Sequence, residues 1–516
     1  MTPGTDVSTS LLLLNEDVLC KILELLLHAG GLNEFSQTSR QVRAACMPVL
    51  FRRCFCPVEF RPPGPQMFLP SSAWPHVQYL MVRDDCLDKF NPDSTLCFVL
   101  GGPLVDQWLQ GMPRLHSVTL YQCGEEPHGL SWRALQSVLS LPVIREFKLD
   151  QLHFCPELLP SDELRIEPTG HLTSFEYLLR KRADPYYIES PYTAQPNYND
   201  EMRALSITLA ALQETLEILT LATESAPIHL FAQNPWPRLR RLALRGEPSD
   251  SLLSSLLSSV SHLLNLQSLV LKFSSTKDIP VRTGIIWRGA HTDPFPCPVL
   301  EELVVTYPDS ADPLFDHLPP TLRTLSLCCW RHLYHEYLSP YRQWDPSDAP
   351  RPLLLLSSAE MHEVLRRSRT TMLRHLTLEY RANDGDDEFL QYIAQNYPLL
   401  TRLKLIRYRP AGVDDVPIER IARLLRPLAQ LSELKIHLDH PEMPLPGLAL
   451  MLGAGGFYSK SSMDEFRLVV DEMADVFARE LSSSVNILSI FTPTAPRRSN
   501  WARFRVVHGR ALQEEE

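Results

Sequence analysis

A short apolar phrase recurs along most of this chain and constrains the fold more than any other feature of the sequence. It consists of an apolar residue, two further residues, a second apolar residue, one residue and a third apolar residue. Its copies read HVQYLMV, RLHSVTL, VIREFKL, TLEILTL, RLRRLAL, NLQSLVL, VLEELVV, TLRTLSL, MLRHLTL, LLTRLKL, QLSELKI and the weaker VNILSI. The alternation at its last two apolar positions is typical of a short strand with one buried face.

The spacing of the copies indicates a repeat. From the fourth copy onward, the gaps between successive central residues are 23, 27, 34, 22, 51, 27 and 31 residues. Those central residues are Leu219, Leu242, Leu269, Leu303, Leu325, Leu376, Leu403 and Leu434. Helical patterns lie between several copies, at 251–265, 357–368, 387–398 and 418–429. Ser357 and Glu360 predict a capping box at the start of the second of these helices.

This alternation of strand and helix resembles a leucine-rich repeat, which runs about 20–29 residues and places L-x-x-L-x-L at a short parallel strand. Such a unit cannot bury its own apolar face, so units stack into a curved solenoid. The resemblance therefore predicts an α/β solenoid over residues 76–510, closed by a packed cap that contains Trp501 and Phe504. The repeats are irregular, since the family's Asn or Cys after the last Leu is mostly absent. The alternative is an α/β domain with similar strands at irregular spacing.

A second feature is an N-terminal helix that is apolar on nearly every side. Residues 14–23 read LNEDVLCKIL, in which Asn15 can cap the helix and two acidic residues follow at the positive end of its dipole. Only Lys21 and Glu24 interrupt the apolar residues that come next, and Asn33 can cap a second helix. A bundle of about 40 residues cannot bury both sides of such a helix. The pattern therefore predicts docking to a partner protein or to the rest of the chain.

Residues 12–56 resemble an F-box, the motif by which substrate receptors of Skp–cullin–F-box ubiquitin ligases dock on a small adaptor protein. The segments LNEDVLCKIL and FSQTSRQVRAACMPVLFRR are similar to fungal F-box proteins in particular. The residues that match the family pattern are Leu14, Val18, Leu19, Ile22, Leu23, Leu32, Phe35, Ser36, Thr38, Ser39, Arg40, Val42, Leu50, Phe51 and Arg52. Asn15 stands where the family usually has Pro. Because Asn caps a helix as well as Pro starts one, we expect the helix to be preserved.

The resemblance implies a non-enzymatic substrate receptor. Its helical bundle would bind a Skp-type adaptor, its repeats would bind a protein substrate, and partner subunits would transfer ubiquitin. The residues that the resemblance assigns to adaptor binding are Leu14, Val18, Leu19, Ile22, Leu23, Leu26, Phe35, Val42 and Leu50. The alternative is a leucine-rich-repeat scaffold whose bundle packs on its own repeats and has no link to a ubiquitin ligase.

Three segments interrupt the repeats or precede them. The Pro-rich residues 57–75 predict a partly extended linker. Insertions near 179–203 and 330–352 are rich in aromatic side chains, which are common at interfaces because the rings are large, rigid and amphipathic. The alternative is that the first insertion is an unstructured segment without function. We expect the first insertion to contribute to substrate binding through Tyr186, Tyr187, Tyr192 and Tyr198.

Composition argues against several other classes of protein. A net charge of −11 disfavours nucleic acid as the main partner, and no apolar run approaches the roughly 20 residues of a membrane span. The 11 Cys include no C-x-x-C pair, and no Asn lies in a glycosylation site, which fits a reducing compartment, cytoplasm or nucleus. No P-loop, nucleophile elbow or H-E-x-x-H motif is present. We therefore expect no catalytic site, no metal and no cofactor.

Overall fold

The computed structural model has a mixed α/β fold with mostly parallel strands, as the sequence predicts. It describes residues 14–61, 64–67, 69–84, 96–97, 100, 103–122, 128–159, 163–166, 171–179, 197–273, 285–287, 295–328, 355–410, 412–444, 460–492 and 500–514. Its contacts divide the chain into two compact units, and the division falls between Leu219 and Thr220. Within the described ranges, no helix is both long enough and apolar enough to cross a bilayer.

The first unit begins with a helical bundle and continues with strands that alternate with helices. Its helices are α1 (Glu16–His28), α2 (Leu32–Ser36), α3 (Arg40–Leu50), α4 (Pro103–Gln110), α5 (Trp132–Leu139) and α6 (Tyr198–Leu212), with a 3-10 helix at Ser71–His76. Its strands are β1 (Arg53–Arg61), β2 (Gly64–Met67), β3 (Tyr79–Asp84), β4 (Ser117–Gln122), β5 (Glu146–Asp150) and β6 (Ser174–Leu178). Strand β7 (Ile218–Ala222) contains the boundary between the units.

The second unit repeats the same alternation. Its strands are β8 (Arg241–Gly246), β9 (Ser268–Phe273), β10 (Glu302–Thr306), β11 (Thr324–Cys328), β12 (Leu356–Ser357), β13 (His375–Arg381), β14 (Arg402–Tyr408), β15 (Glu433–Leu438), β16 (Ile487–Thr492), β17 (Asn500–Val507) and β18 (Arg510–Gln513). Its helices are α7 (His229–Gln233), α8 (Asp250–Val260), α9 (Ser358–Ser368), α10 (Asp386–Asn396), α11 (Ile418–Leu425) and α12 (Lys460–Glu480), with a 3-10 helix at Pro313–Asp316. The predicted capping box of Ser357 and Glu360 begins α9.

The apolar phrases pair in register along each unit. Neighbouring strands are parallel, and the central residue of one phrase lies opposite the central residue of the next. In the first unit these positions are Cys54, Leu80, Val118, Phe147 and Phe175. In the second they are Leu242, Leu269, Leu303, Leu325, Leu376, Leu403, Leu434 and Leu488. All of these side chains are buried, so the recurring phrase forms a continuous apolar layer within each unit.

The same backbone contact recurs between most neighbouring parallel strands. The carbonyl just before one strand accepts hydrogen bonds from two consecutive N–H groups at the start of the neighbouring strand, with N···O distances of 2.7–3.1 Å. The acceptors are the carbonyls of Arg52, Gln78, His116, Arg145, Thr173, Arg240, Gln267, Glu301, Arg323, Arg374, Thr401 and Ser432. The contact recurs even where the intervening chain differs in length. At these positions main-chain groups contribute to joining neighbouring strands, and this contact does not depend on which side chain is present.

Two strands carry phrases that the sequence pattern did not identify. Strand β1 has Cys54 and Cys56 in the apolar positions, and it spans the end of the predicted bundle, residues 12–56, and the start of the linker expected over residues 57–75. The difference arises because β1 pairs with both β2 and β3, so its Pro-containing segment extends as part of a sheet. Strand β6 has Phe175 and Tyr177 in place of leucines, within the long interval before Leu219.

Strand β11 pairs directly with β13, so the strands at the two ends of the 51-residue interval between Leu325 and Leu376 are neighbours. Strand β12 is short and pairs only with the end of β13. The predicted insertion at 330–352 lies outside the described residues.

Candidate functional site

The N-terminal bundle is built on capped helices. The Asn15 side chain accepts a hydrogen bond from the Asp17 N–H at 2.9 Å, which confirms the predicted cap of α1. The third helix, α3, is capped by Ser39, whose hydroxyl accepts from the Val42 N–H at 3.1 Å. Asn33, which was expected to cap a second helix, lies inside α2 instead. The caps satisfy N–H groups that have no partner within a helix and so define where α1 and α3 start.

The bundle encloses a small apolar core. Its buried members are Leu23, Leu32, Cys46 and Val49. Partly buried side chains pack around them, namely Leu19, Leu26, Phe35, Val42 and Leu50. This core uses one side of α1 and the facing sides of α2 and α3. The remaining apolar residues of α1 are left outside it.

One face of α1 remains apolar and exposed. Val18 is 49% exposed and Leu25 is 59% exposed, with Ile22 half-buried between them. At about 100° per residue, these three positions fall within an arc of roughly 40–60° on the helix surface. Leu14, which is 41% exposed, precedes the helix. We call Val18, Ile22 and Leu25 the α1 stripe.

The sequence-predicted adaptor residues therefore divide into two groups. Leu14 is exposed, and Val18 and Ile22 belong to the α1 stripe, whereas Leu23 is almost completely buried in the bundle core. The other predicted residues pack against that core from its edge, and they are Leu19, Leu26, Phe35, Val42 and Leu50. Leu25 was absent from the predicted set although it is the most exposed member of the α1 stripe. Helical spacing places Leu25 on the same side of α1 as Val18, but the sequence does not show that this side is the exposed one.

Salt bridges hold α1 against the start of the first strand while leaving the stripe uncovered. The Glu24 carboxylate lies 2.9 Å from Arg52 Nη1 and 3.5 Å from Lys21 Nζ. The Arg52 guanidinium also donates from Nε to the Gln78 side-chain oxygen, over 3.3 Å. Because Arg52 immediately precedes β1, the bundle is fixed to the strands by both the chain and these side chains.

A second candidate surface lies on the face of the second unit's strands that points away from the leucine layer. Ala243, Val270 and Val304 form a buried apolar cluster there. On strands β14 and β15 the residues at the same register position are polar, and they are Lys404 and Lys435. These positions are spaced by the distance between neighbouring strands, about 4.8 Å, so side chains from several strands can contact one ligand.

The two lysines of this face share an aromatic neighbour. Lys404 Nζ lies 5.2 Å from the centre of the Trp501 ring, and Lys435 Nζ lies 6.0 Å from it. Burial lowers the pKa of Lys404, and the nearby Cys328 and Glu379 oppose that shift. Burial also lowers the pKa of Lys272, farther along the same face. The face thus carries cationic groups that are partly removed from water.

Of the four tyrosines predicted to contact substrate, one lies within the described residues. Tyr186, Tyr187 and Tyr192 lie outside the described residues, whereas Tyr198 is the first residue of α6 and is partly exposed. The next turn of α6 is part of the interior of the first unit. Its Glu201 is fully buried, where it accepts from the Tyr177 hydroxyl at 3.0 Å and lies 2.8 Å from His153 Nδ1.

The end of the segment predicted as an insertion, residues 179–203, therefore supports the fold.

No known family has a sequence model that matches this chain, and no curated protein is significantly similar to it. The functional argument consequently rests on the surfaces described above.

Proposed function

We propose that this chain is a non-enzymatic substrate receptor of a Skp–cullin–F-box ubiquitin ligase, acting in the cytoplasm or nucleus. Residues 14–50 act as the F-box and bind a Skp-type adaptor, and the strand-and-helix units form a leucine-rich-repeat-like solenoid that binds a protein substrate. The α1 stripe is the observation that carries the proposal. Ubiquitin transfer is the task of the partner subunits.

The exposed stripe supports docking because apolar side chains on one helix face are stabilised when a partner removes them from water. Burying the remaining exposed half of three such side chains supplies roughly 2–5 kcal/mol. The helix face is preorganised by the cap at Asn15 and by the salt bridge of Glu24 with Arg52, so docking requires little further ordering. A helix that lays an apolar face into a groove is a common form of protein recognition.

The pairing of the strands supports the solenoid part of the proposal. Parallel strands that repeat one apolar phrase in register, joined by one recurring carbonyl contact, are what stacked units require. In such a stack the side chains opposite the core are presented as a broad surface. Lys404, Lys435 and Trp501 belong to that surface and are our candidates for substrate contacts.

Co-purification with a Skp-type adaptor tests the docking half of the proposal. The full chain carrying Val18→Asp and Leu25→Asp should lose at least about 100-fold in adaptor affinity, since each change places an uncompensated charge in the contact. Both side chains are exposed in the free chain, so the thermal midpoint should change little. The variant Leu468→Asp is the matched control because Leu468 is 70% exposed on another helix, α12.

Equal adaptor binding by the double variant and the control would contradict the F-box assignment. The chain would then be better described as a repeat scaffold that is unconnected to a ubiquitin ligase. A change of Leu23 to Asp would not distinguish these functions, because Leu23 is buried and its loss would unfold the bundle itself.

A further inference from the structure

Three side chains with metal-binding atoms converge beyond the end of β3 in the first unit. Oδ2 of Asp84 lies 2.6 Å from Nε2 of His128 and 3.0 Å from Sγ of Cys97. The three atoms all lie within 4.8 Å of one another. Asp84 and Cys97 are buried, and 13% of the His128 side chain is exposed. A carboxylate, a thiol and an imidazole thus meet at one point that retains a route to solvent.

The backbone holds these side chains together although they are far apart in the sequence. The Cys97 N–H donates to the carbonyl of Gly129 at 2.7 Å, and Leu96 forms a parallel bridge with Gly129. Gly129 directly follows His128, so this bridge sets the separation of the thiol and the imidazole. A Cβ at Gly129 would lie 2.2 Å from the Pro156 ring, so glycine is required where this residue packs against Pro156.

The sulfur of Cys97 donates a hydrogen bond to Oδ2 of Asp84 and accepts one from the backbone. The backbone N–H of Leu100 donates to Sγ over 3.3 Å. A hydrogen bond donated to sulfur favours its anionic form, which is the form that binds metal ions. Backbone contacts of this kind orient ligands around metal sites. This hydrogen bond from Leu100 is separate from the contacts with Asp84, and it also favours metal binding by the Cys97 sulfur.

We propose that Asp84, Cys97 and His128 bind one zinc ion. Zinc takes thiolate, imidazole and carboxylate ligands, whereas calcium and magnesium prefer sites built from oxygen alone. On binding, the Cys97 thiol releases its proton to solvent and its sulfur coordinates the ion, while His128 coordinates as neutral imidazole. The thiolate and the carboxylate then balance the two positive charges of the ion, which limits the electrostatic cost in a buried site.

The geometry requires only a small adjustment. Ligand atoms around tetrahedral zinc lie about 3.3–3.7 Å apart, given metal–ligand distances of about 2.0–2.3 Å. The contacts of Asp84 with His128 and Cys97 would therefore lengthen by about 0.5–1 Å to admit the ion. Three protein ligands leave a fourth position of tetrahedral zinc for water or another ligand. The ion would join the end of β3 to the segments that carry Cys97 and His128.

Metal content and cobalt spectroscopy of the full chain test this proposal, which does not depend on adaptor binding. Chelator-treated protein is titrated with zinc in competition with a chromogenic chelator, and separately with cobalt(II). We expect one zinc per chain and, with cobalt, intense tetrahedral absorption with a thiolate-to-cobalt charge-transfer band. Cys97→Ala and His128→Gln should each weaken zinc binding by about 100-fold or more.

Cys297→Ala is the control, because Cys297 is also a buried thiol but lies in the second unit, and it should bind zinc as the unmodified chain does. The proposal is overturned if the unmodified chain binds no stoichiometric zinc or gives no thiolate-to-cobalt band. That result does not depend on whether the variants fold. Undiminished zinc binding by folded Cys97→Ala protein would equally overturn it.

Discussion

The N-terminal bundle and the parallel strands use the same residue types for different purposes. In the strands, every central apolar residue named above is buried, so the supply of apolar side chains matches the core that they form. In the bundle, four residues make the buried core while Val18 and Leu25 remain about half exposed. The exposed apolar side chains of α1 include the α1 stripe on one side and Leu27, which is 46% exposed, on the opposite side. An apolar pattern alone therefore does not distinguish a side chain that supports the fold from one that can bind a partner.

The strands also contain buried charge, and its removal gives the largest effect that we expect. Arg407 Nε of β14 lies 2.8 Å from Oδ2 of Asp386 at the start of α10, and both side chains are almost fully buried. Asp386→Ala should lower the free energy of unfolding by about 3–5 kcal/mol, because it leaves the Arg407 guanidinium buried without its counter-charge. Denaturant unfolding of the full chain measures this value.

Glu363→Ala provides the comparison, since Glu363 makes a 2.8 Å ion pair with Arg366 on the exposed side of α9. We expect that change to leave the unfolding curve nearly unaltered, because solvent screens exposed pairs. Equal losses from the two substitutions would show that the buried pair has no special role in the second unit.

A pair of leucine substitutions tests the contrast between the two regions directly. Leu403→Ala should lower the free energy of unfolding by about 2–5 kcal/mol, because it opens a cavity in a layer shared with the neighbouring strands. Leu25→Ala removes the same atoms from an exposed position and should cost less than about 0.5 kcal/mol. A large loss from Leu25→Ala would place that residue in the fold and weaken the argument for docking.

The smallest expected effect concerns cysteines. Burial raises the pKa of the Cys297 thiol from 9.0 to about 12, and burial with nearby Cys54 raises that of Cys56 to about 11. The folded state therefore holds these protons more tightly than the unfolded state. The stability that they contribute is complete below about pH 9 and is lost as the pH rises through about 11 to 12.

Thiols of unfolded chains begin to ionise between roughly pH 8 and pH 10. Unfolding curves measured over this range should show that the free energy of unfolding falls as the pH rises. The decline should be less steep for Cys297→Ala. Alkylation near neutral pH gives a second measurement, because Cys20 of the bundle is exposed and should react first, whereas Cys297 and Cys56 should react only on unfolding. Rapid native-state labelling of Cys297 would contradict its burial.

Much of the strand arrangement could be predicted because leucine spacing reports directly on a buried face. The copies from HVQYLMV to VNILSI correspond to strands β3 to β5, β7 to β11 and β13 to β16. Strands β1 and β6 were missed because cysteines and aromatic residues occupy the positions that leucine holds elsewhere. A pattern defined by leucine cannot detect them, although any residue that fills the same buried volume can serve.

The candidate sites were less accessible to sequence reasoning. On α1 nearly every position is apolar, so periodicity could not show that Leu23 faces the bundle core and Leu25 the solvent. Asp84, Cys97 and His128 carry no spacing signature, because three separate segments bring them together. Only the pairing of the backbone near Gly129 reveals that they meet.

The reversal of strand direction at the outer strands limits self-association. Strand β2 runs antiparallel to β1, and β17 and β18 run antiparallel beyond β16. A parallel strand with an open edge would offer its N–H and C=O groups to a strand of another molecule, and successive molecules could then add head to tail. Strand β17 occupies that edge along the whole of β16, from Ile487 to Thr492, and presents a different hydrogen-bond spacing beyond it. The run of parallel strands therefore ends at β16 within the chain, and a parallel strand of another molecule cannot add to β16.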